Sequence, residues 1–144
     1  MKFDSSKFEL LQGIDAANYA IQLIKEGITE RDFLPYFQEN VEKLDMAHLE
    51  LAVGMVGKIG SIAAFHVVAK YLDHPNFNVR FVAVKTIKNM VAIDEQIMAL
   101  VVASLTKQYG DMGDALAQEL NVVLDRPASD EAKRLAAEYK KNNS

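Results

Sequence analysis

Three histidines, His48, His66 and His74, are the side chains of this sequence that could bind a metal or transfer a proton near neutral pH. A hydrolytic metal site on a helix requires two histidines on one face, for example four residues apart, with a carboxylate nearby. No two of these histidines have that spacing, and the chain contains no cysteine that could supply a thiolate ligand. The sequence therefore predicts no metal site and no cofactor.

Catalytic nucleophiles and phosphate-binding loops have no recognisable motif in the sequence. The glycine-containing segment 54–60 lies in a helical pattern and lacks the strand and the spacing of a phosphate-binding loop. No serine lies in a nucleophile-elbow motif, and the carboxylates are scattered over polar faces. We therefore predict no catalytic residue and a protein that is not an enzyme.

An aromatic residue lies among lysines on a helix that is predicted to begin at Val79. At 100° per residue, Phe81, Lys85 and Lys88 fall on one face of this helix. A phenylalanine is unusual on a helix face that only contacts solvent. A surface with an aromatic residue and two lysines can bind an acidic peptide or helix. In an alternative interpretation, Phe81 packs under a neighbouring helix pair and the lysines are ordinary surface residues. The predicted core stripe of the same helix consists of Ala83, Val84, Ile87, Met90 and Val91.

The charge of the chain is unevenly distributed. The net charge is −4, with −5 on residues 1–57, +3 on residues 58–109 and −2 on residues 110–144. Because nucleic-acid-binding proteins usually carry a basic face that replaces phosphate counterions, the overall charge argues against nucleic acid as the partner. No apolar stretch approaches the ~20 residues that span a bilayer, and no signal peptide is recognisable. We expect a cytoplasmic location and no membrane partner.

Apolar residues recur at spacings of three and four nearly throughout, which is typical of helices. We predict an all-α fold of about eight helices in a single domain, residues 1–144. A short lead-in around residues 8–11 precedes the first helix, and the pattern leaves open whether it is helical. The predicted helices cover 14–25, a segment from the capping box at 29–32 to about 44, 46–59, 62–72, 79–91, 95 to about 108, 110 to about 124, and a last segment from about 129, with fraying expected from 140.

Capping residues separate these predicted helices. Thr29 and Asp32 form a capping box, Asp45 caps the third helix, and Asp94 caps the sixth. The clearest turn is the segment 73–78, in which we expect Asn78 to cap the helix that follows.

The sequence contains an internal repeat. A shift of 31 residues aligns Ala52 with Ala83 and Val56 with Ile87, so a pattern of small and large apolar residues recurs. One helix pair leaves an apolar face uncovered, and stacking a second pair buries it. The same shift places Glu50, Gly54 and Gly57 at the positions of Phe81, Lys85 and Lys88.

The segment 62–87 resembles a HEAT repeat. The similarity lies in Pro75 of the turn, in the pair Val79 and Arg80 that opens the second helix, and in Ala83 and Ile87, which the family buries. His74 occupies the position before the proline where the family usually has aspartate. The resemblance implies a short α-solenoid of antiparallel helix pairs that acts as a protein-binding scaffold. The partner-binding residues would then lie on its concave face; these are Phe81, Lys85, Lys88, Glu50, Gly54 and Gly57. The partner would be acidic where it meets Phe81, Lys85 and Lys88.

Two other functions and the oligomeric state stay open. HEAT-like solenoids also occur in bacterial alkyl-base DNA glycosylases, so the resemblance also allows a nucleic-acid-binding protein. His48 on a helix is similar to the phosphorylated histidine of phosphotransfer domains, although Glu50 would repel a phosphoryl group. The apolar N-terminal residues could cover the first helix pair or a second subunit; these residues are Phe3, Phe8, Leu10 and Leu11.

Overall fold

The computed structural model describes residues 3–107 and 110–143 of the chain. These residues form nine α-helices, two short 3₁₀ helices and no strand. There is one helix more than predicted, because the N-terminal lead-in forms a helix of its own. The α-helices are α1 (Ser5–Leu10), α2 (Gly13–Lys25), α3 (Glu30–Asn40), α4 (Met46–Ile59), α5 (Ile62–Ala69), α6 (Phe77–Lys88), α7 (Glu95–Thr106), α8 (Gly110–Leu120) and α9 (Asp130–Asn142), and the 3₁₀ helices are Val41–Lys43 and Asn121–Asp125.

Local capping signals fix the helices that the sequence predicts best. The bounds of α4 agree with the prediction, since Asp45 caps its start and Gly60, at a φ of +76°, ends it in the left-handed region. The capping box before α3 is also confirmed: the carboxylate of Asp32 accepts a hydrogen bond from the backbone N–H of Thr29 at 3.0 Å. Asp32 therefore lies where a negative charge stabilises a helix start, and the bond from the Thr29 N–H lowers the pKa of its carboxyl.

The start of α6 differs from the prediction. The helix begins at Phe77, two residues before Val79, and the side chain of Asn76 accepts a hydrogen bond from the Val79 N–H at 3.2 Å. Asn76 is therefore the capping residue, and the prediction of Asn78 is wrong. Asn78 lies inside the first turn of the helix and is exposed.

Other predicted helix ends are also corrected. α5 ends at Ala69 rather than at 72, and α3 and α8 each pass into a 3₁₀ helix. Because α6 ends at Lys88, the predicted core residue Val91 lies beyond it and is 91% exposed, while Met90 is half-buried. α9 extends to Asn142, beyond residue 140, from which fraying is expected. The predicted end of the sixth helix near 108 lies outside the described residues.

The first of two compact units, Met1–Val67, has an aromatic core. α2 and α3 both pack against α4, and α1 packs against α2. Phe8 and Phe33 are fully buried, and the ring of Phe3 meets that of Phe33 edge-on at 4.9 Å between centroids. Phe3 and Phe8 thus pack within this unit, whereas Leu10 is 81% exposed.

The second compact unit, Val68–Ser144, is built on aliphatic residues. α6 packs against α8, and α7 packs against both α8 and α9. The core residues of α6 and α7 are fully or almost fully buried: Val79, Ala83, Val84, Ile87, Ile97, Met98 and Val101. No helix within the described ranges is long and apolar enough to cross a membrane.

Two linkers of the second unit are joined by main-chain hydrogen bonds. The N–H of Ile93, between α6 and α7, donates to the Arg126 carbonyl at 2.7 Å, and the Ala128 N–H donates to the Ile93 carbonyl at 2.8 Å. The Arg126 guanidinium also donates to the carbonyls of Lys88 and Met90 at the end of α6. These bonds attach the segment before α9 to the end of α6.

Replacing the capping residue of α6 tests the corrected helix start. Asn76→Ala removes the acceptor for the Val79 N–H and should lower the free energy of unfolding by about 1 kcal/mol in urea titration. Asn78→Ala is the matched control, because this exposed side chain caps nothing and alanine is the better helix former. A larger loss of stability in the Asn78 variant would contradict the observed start.

Candidate functional site

The outward face of α6 combines aromatic and basic side chains, of which Phe81 is exposed and the others are half-buried. We call Phe77, Phe81, Lys85 and Lys88 of α6, together with Glu119 of α8, the α6 surface. Phe81 is 41% exposed, so it does not pack under a neighbouring helix pair. Its ring lies 6.1 Å from that of Phe77 between centroids. This face is opposite the buried stripe of α6, which agrees with the predicted periodicity.

Lys85 links the aromatic ring to a carboxylate. Its Nζ lies 5.3 Å from the centroid of the Phe81 ring, within the range of a cation–π interaction. The same Nζ donates to Oε1 of Glu119 at 2.9 Å. The sequence led us to expect that Lys85 would meet a partner's carboxylate, and the structure already pairs it within the chain.

The charges of the α6 surface are coupled. The hydrogen bond from Lys85 lowers the pKa of Glu119 against the opposing effect of burial, and the positive charges of Lys85 and Lys88 add to this. Glu119 is therefore ionised at neutral pH. α6 itself contains no carboxylate, so the negative charge on this surface comes from α8.

The residues of the HEAT-like signature on α6 lie on the buried side of this helix and thereby position the α6 surface. Val79, Ala83 and Ile87 are fully buried, and Arg80 is only 5% exposed. The Arg80 guanidinium donates to the carbonyl of His74 at 3.0 Å and lies 5.7 Å from the centroid of the Phe77 ring. Arg80 thus connects the turn that holds Pro75 to the first aromatic residue of the surface.

The other predicted partner-binding residues lie in the first compact unit. Glu50, Gly54 and Gly57 are half-buried on α4, whereas Phe81, Lys85 and Lys88 belong to the second unit. Glu50 lines an open groove of about 200 Å³. The other residues that line it are Gly13, Ala16, Ala47, His48 and Leu51.

His48 is buried, with both ring nitrogens facing hydrogen-bond acceptors. It is 4% exposed. Nδ1 lies 2.9 Å from each carboxylate oxygen of Asp45, and Nε2 lies 2.8 Å from the Leu11 carbonyl and 3.1 Å from that of Phe8. Because acceptors alone surround both nitrogens, the ring satisfies them all only as the imidazolium. Since no ring nitrogen is left open to solvent, this geometry does not favour a phosphorylated histidine.

This role of His48 is not visible in the sequence, because two of its acceptors, the carbonyls of Leu11 and Phe8 at the end of α1, are 37 and 40 residues away along the chain. Burial works against the charged ring, but the hydrogen bonds to Asp45 and to the two carbonyls outweigh it and raise the pKa of His48. The charged ring holds the end of α1 to the start of α4.

The remaining histidines have different surroundings. His66 is half-buried in α5, and Nδ1 of His74 accepts a hydrogen bond from the Asn76 N–H at 3.0 Å. In the described part of the chain, no three His, Asp or Glu side chains are grouped so that they could hold a metal ion. His74 belongs to the turn before α6, as predicted.

The charge state of His48 makes stability depend on pH. Because its pKa in the folded protein is raised above the ordinary 6.5, its contribution is fully present below pH 6.5 and is lost as the pH rises through the folded pKa. We expect the free energy of unfolding, measured by urea titration across this range, to fall with rising pH, and His48→Gln to remove most of that fall. Asp45→Asn keeps a capping side chain but removes the negative charge, so the fall should move to lower pH. An unchanged pH profile in both variants would contradict the role of His48.

The chain matches no protein-family model, no curated protein and no solved structure. A function therefore has to be inferred from the α6 surface and from the arrangement of the helices.

Proposed function

We propose that this protein is a non-enzymatic interaction scaffold of the HEAT-like α-solenoid type, and that its α6 surface binds an acidic segment of a partner protein. The observation that carries the proposal is the exposed ring of Phe81 under the ammonium group of Lys85, on a helix without carboxylates.

The spacing of the helices supports the solenoid architecture. α2, α4, α6 and α8 begin at Gly13, Met46, Phe77 and Gly110, at intervals of 31 to 33 residues. α3, α5, α7 and α9 begin at Glu30, Ile62, Glu95 and Asp130, at intervals of 32 to 35 residues. Four helix pairs of nearly constant length are typical of a repeat in which each pair is one unit.

The packing of the helices also supports it. In the first unit α2 packs against α4, and in the second α6 packs against α8 and α7 against α9. Each of these contacts joins a helix to the equivalent helix of the following pair. Stacked helix pairs have this pattern, because equivalent helices of successive pairs cover each other's apolar faces.

The chemistry of the α6 surface fits an acidic partner that also offers an apolar side chain. Aromatic residues, including phenylalanine, are enriched in protein interfaces. Lys85 and Lys88 supply the positive charge that attracts a carboxylate, and Phe81 supplies an apolar contact beside it. Phenylalanine and lysine at these positions suggest binding rather than a reaction.

A defined peptide tests the proposed binding. The probe is a fluorescein-labelled peptide in which glutamates flank one leucine, and the same peptide with glutamines in place of the glutamates is its control. Phe81→Ala should weaken binding of the glutamate peptide about tenfold in anisotropy titration, as truncation of a central interface residue does. Lys88→Gln should weaken it less and reduce its dependence on salt.

Two variants outside the α6 surface serve as controls. Val91→Ala removes an apolar side chain that is 91% exposed, and Lys133→Gln removes an exposed charge on α9. Both should bind like the wild type, with circular dichroism confirming that every variant is folded. Equal binding by Phe81→Ala would contradict the proposal. Binding of duplex DNA that weakens steeply with salt would favour the nucleic-acid alternative instead.

A further inference from the structure

We propose that Glu119 is an internal competitor of the partner on the α6 surface. Its carboxylate pairs with the ammonium group of Lys85, and the partner's carboxylate has to displace the Glu119 carboxylate from this pair. This inference rests on the proposed function and adds a regulatory contact to the same site.

The position of the Glu119 carboxylate suggests this competition. Its Oε1 lies 2.9 Å from Lys85 Nζ, and this Nζ is 5.3 Å from the centroid of the exposed Phe81 ring. A partner that buries Phe81 under an apolar side chain would bring a neighbouring carboxylate to the same ammonium group. Glu119 therefore holds the place that the partner's carboxylate would take.

The pair of Lys85 and Glu119 is weak enough to be exchanged. The two side chains are 42% and 33% exposed, and ion pairs that are open to water contribute little to stability. Exchanging this carboxylate for another one therefore costs little at this contact.

The exchange of the Glu119 carboxylate for the partner's carboxylate also determines which residues the partner must offer. Replacing one carboxylate by another leaves the number of ion pairs at Lys85 unchanged, so this contact alone gives little affinity. The gain has to come from the apolar contact with Phe81. A segment that carries only acidic residues should therefore bind the wild type poorly, and a segment with an apolar residue beside the acid should bind well.

Removing the competing carboxylate tests the proposal with the same labelled peptide. Glu119→Gln frees Lys85 and should tighten binding about three- to tenfold relative to the wild type. Asp125→Asn is the matched control, because this carboxylate pairs with Lys140 rather than with the α6 surface. It should leave the affinity unchanged.

A second pair of variants separates contact from long-range repulsion. In a Lys85→Gln background, Glu119→Gln should no longer tighten binding, since the group for which Glu119 competes is absent. Tightening that persists in this background would show that Glu119 acts through its charge alone, and it would overturn the proposal. No tightening in the single variant would also overturn it, while weaker binding by Phe81→Ala would leave the proposed function intact. If neither the wild type nor Glu119→Gln binds the peptide, both proposals are wrong.

Discussion

A short helix cannot bury an apolar face by itself, and the described structure depends on how that face is covered. In α4 the fully buried positions include Ala52 and Val56, and in α6 the equivalent positions are Ala83 and Ile87. The alanines allow a neighbouring helix to approach closely, and the larger residues fill the space beside them. Because this inner stripe is fixed by packing, the opposite face of α6 has to point outward. The exposure of Phe81 is a consequence of the core beneath it.

Much of the secondary structure could be predicted, because helix ends are marked by local chemistry. Asp45 and Gly60 define α4 through contacts that span a few residues, so the sequence contains the whole signal. The start of α6 is ambiguous in the sequence, since Asn76 and Asn78 are both good capping residues. The structure uses the earlier one, which leaves Val79 and Arg80 inside the helix with their side chains buried. Burial of this kind depends on neighbouring helices and is not visible in a local pattern.

The candidate site could be predicted in part for the same reason. Helical periodicity places Phe81, Lys85 and Lys88 on one face, and the structure agrees. The partner of Lys85 is Glu119, which is 34 residues away, and the predicted repeat did not point to it. His48 shows the same limit, because two of the acceptors that favour its charged ring are carbonyl groups at the end of α1, far away along the chain. Contacts between side chains far apart in the sequence require the packing of the helices to be known.

The bonds between the two linkers of the second unit have a consequence for how this unit opens. The amide hydrogens of Ile93 and Ala128 lie outside the helices, yet both are bonded to the opposite linker. These two amide hydrogens exchange with solvent when the linkers separate. The same separation breaks the hydrogen bonds from Arg126 to the carbonyls at the end of α6. The start of α9 is therefore tied to the end of α6, and an opening of the two linkers loosens both of these helix ends together.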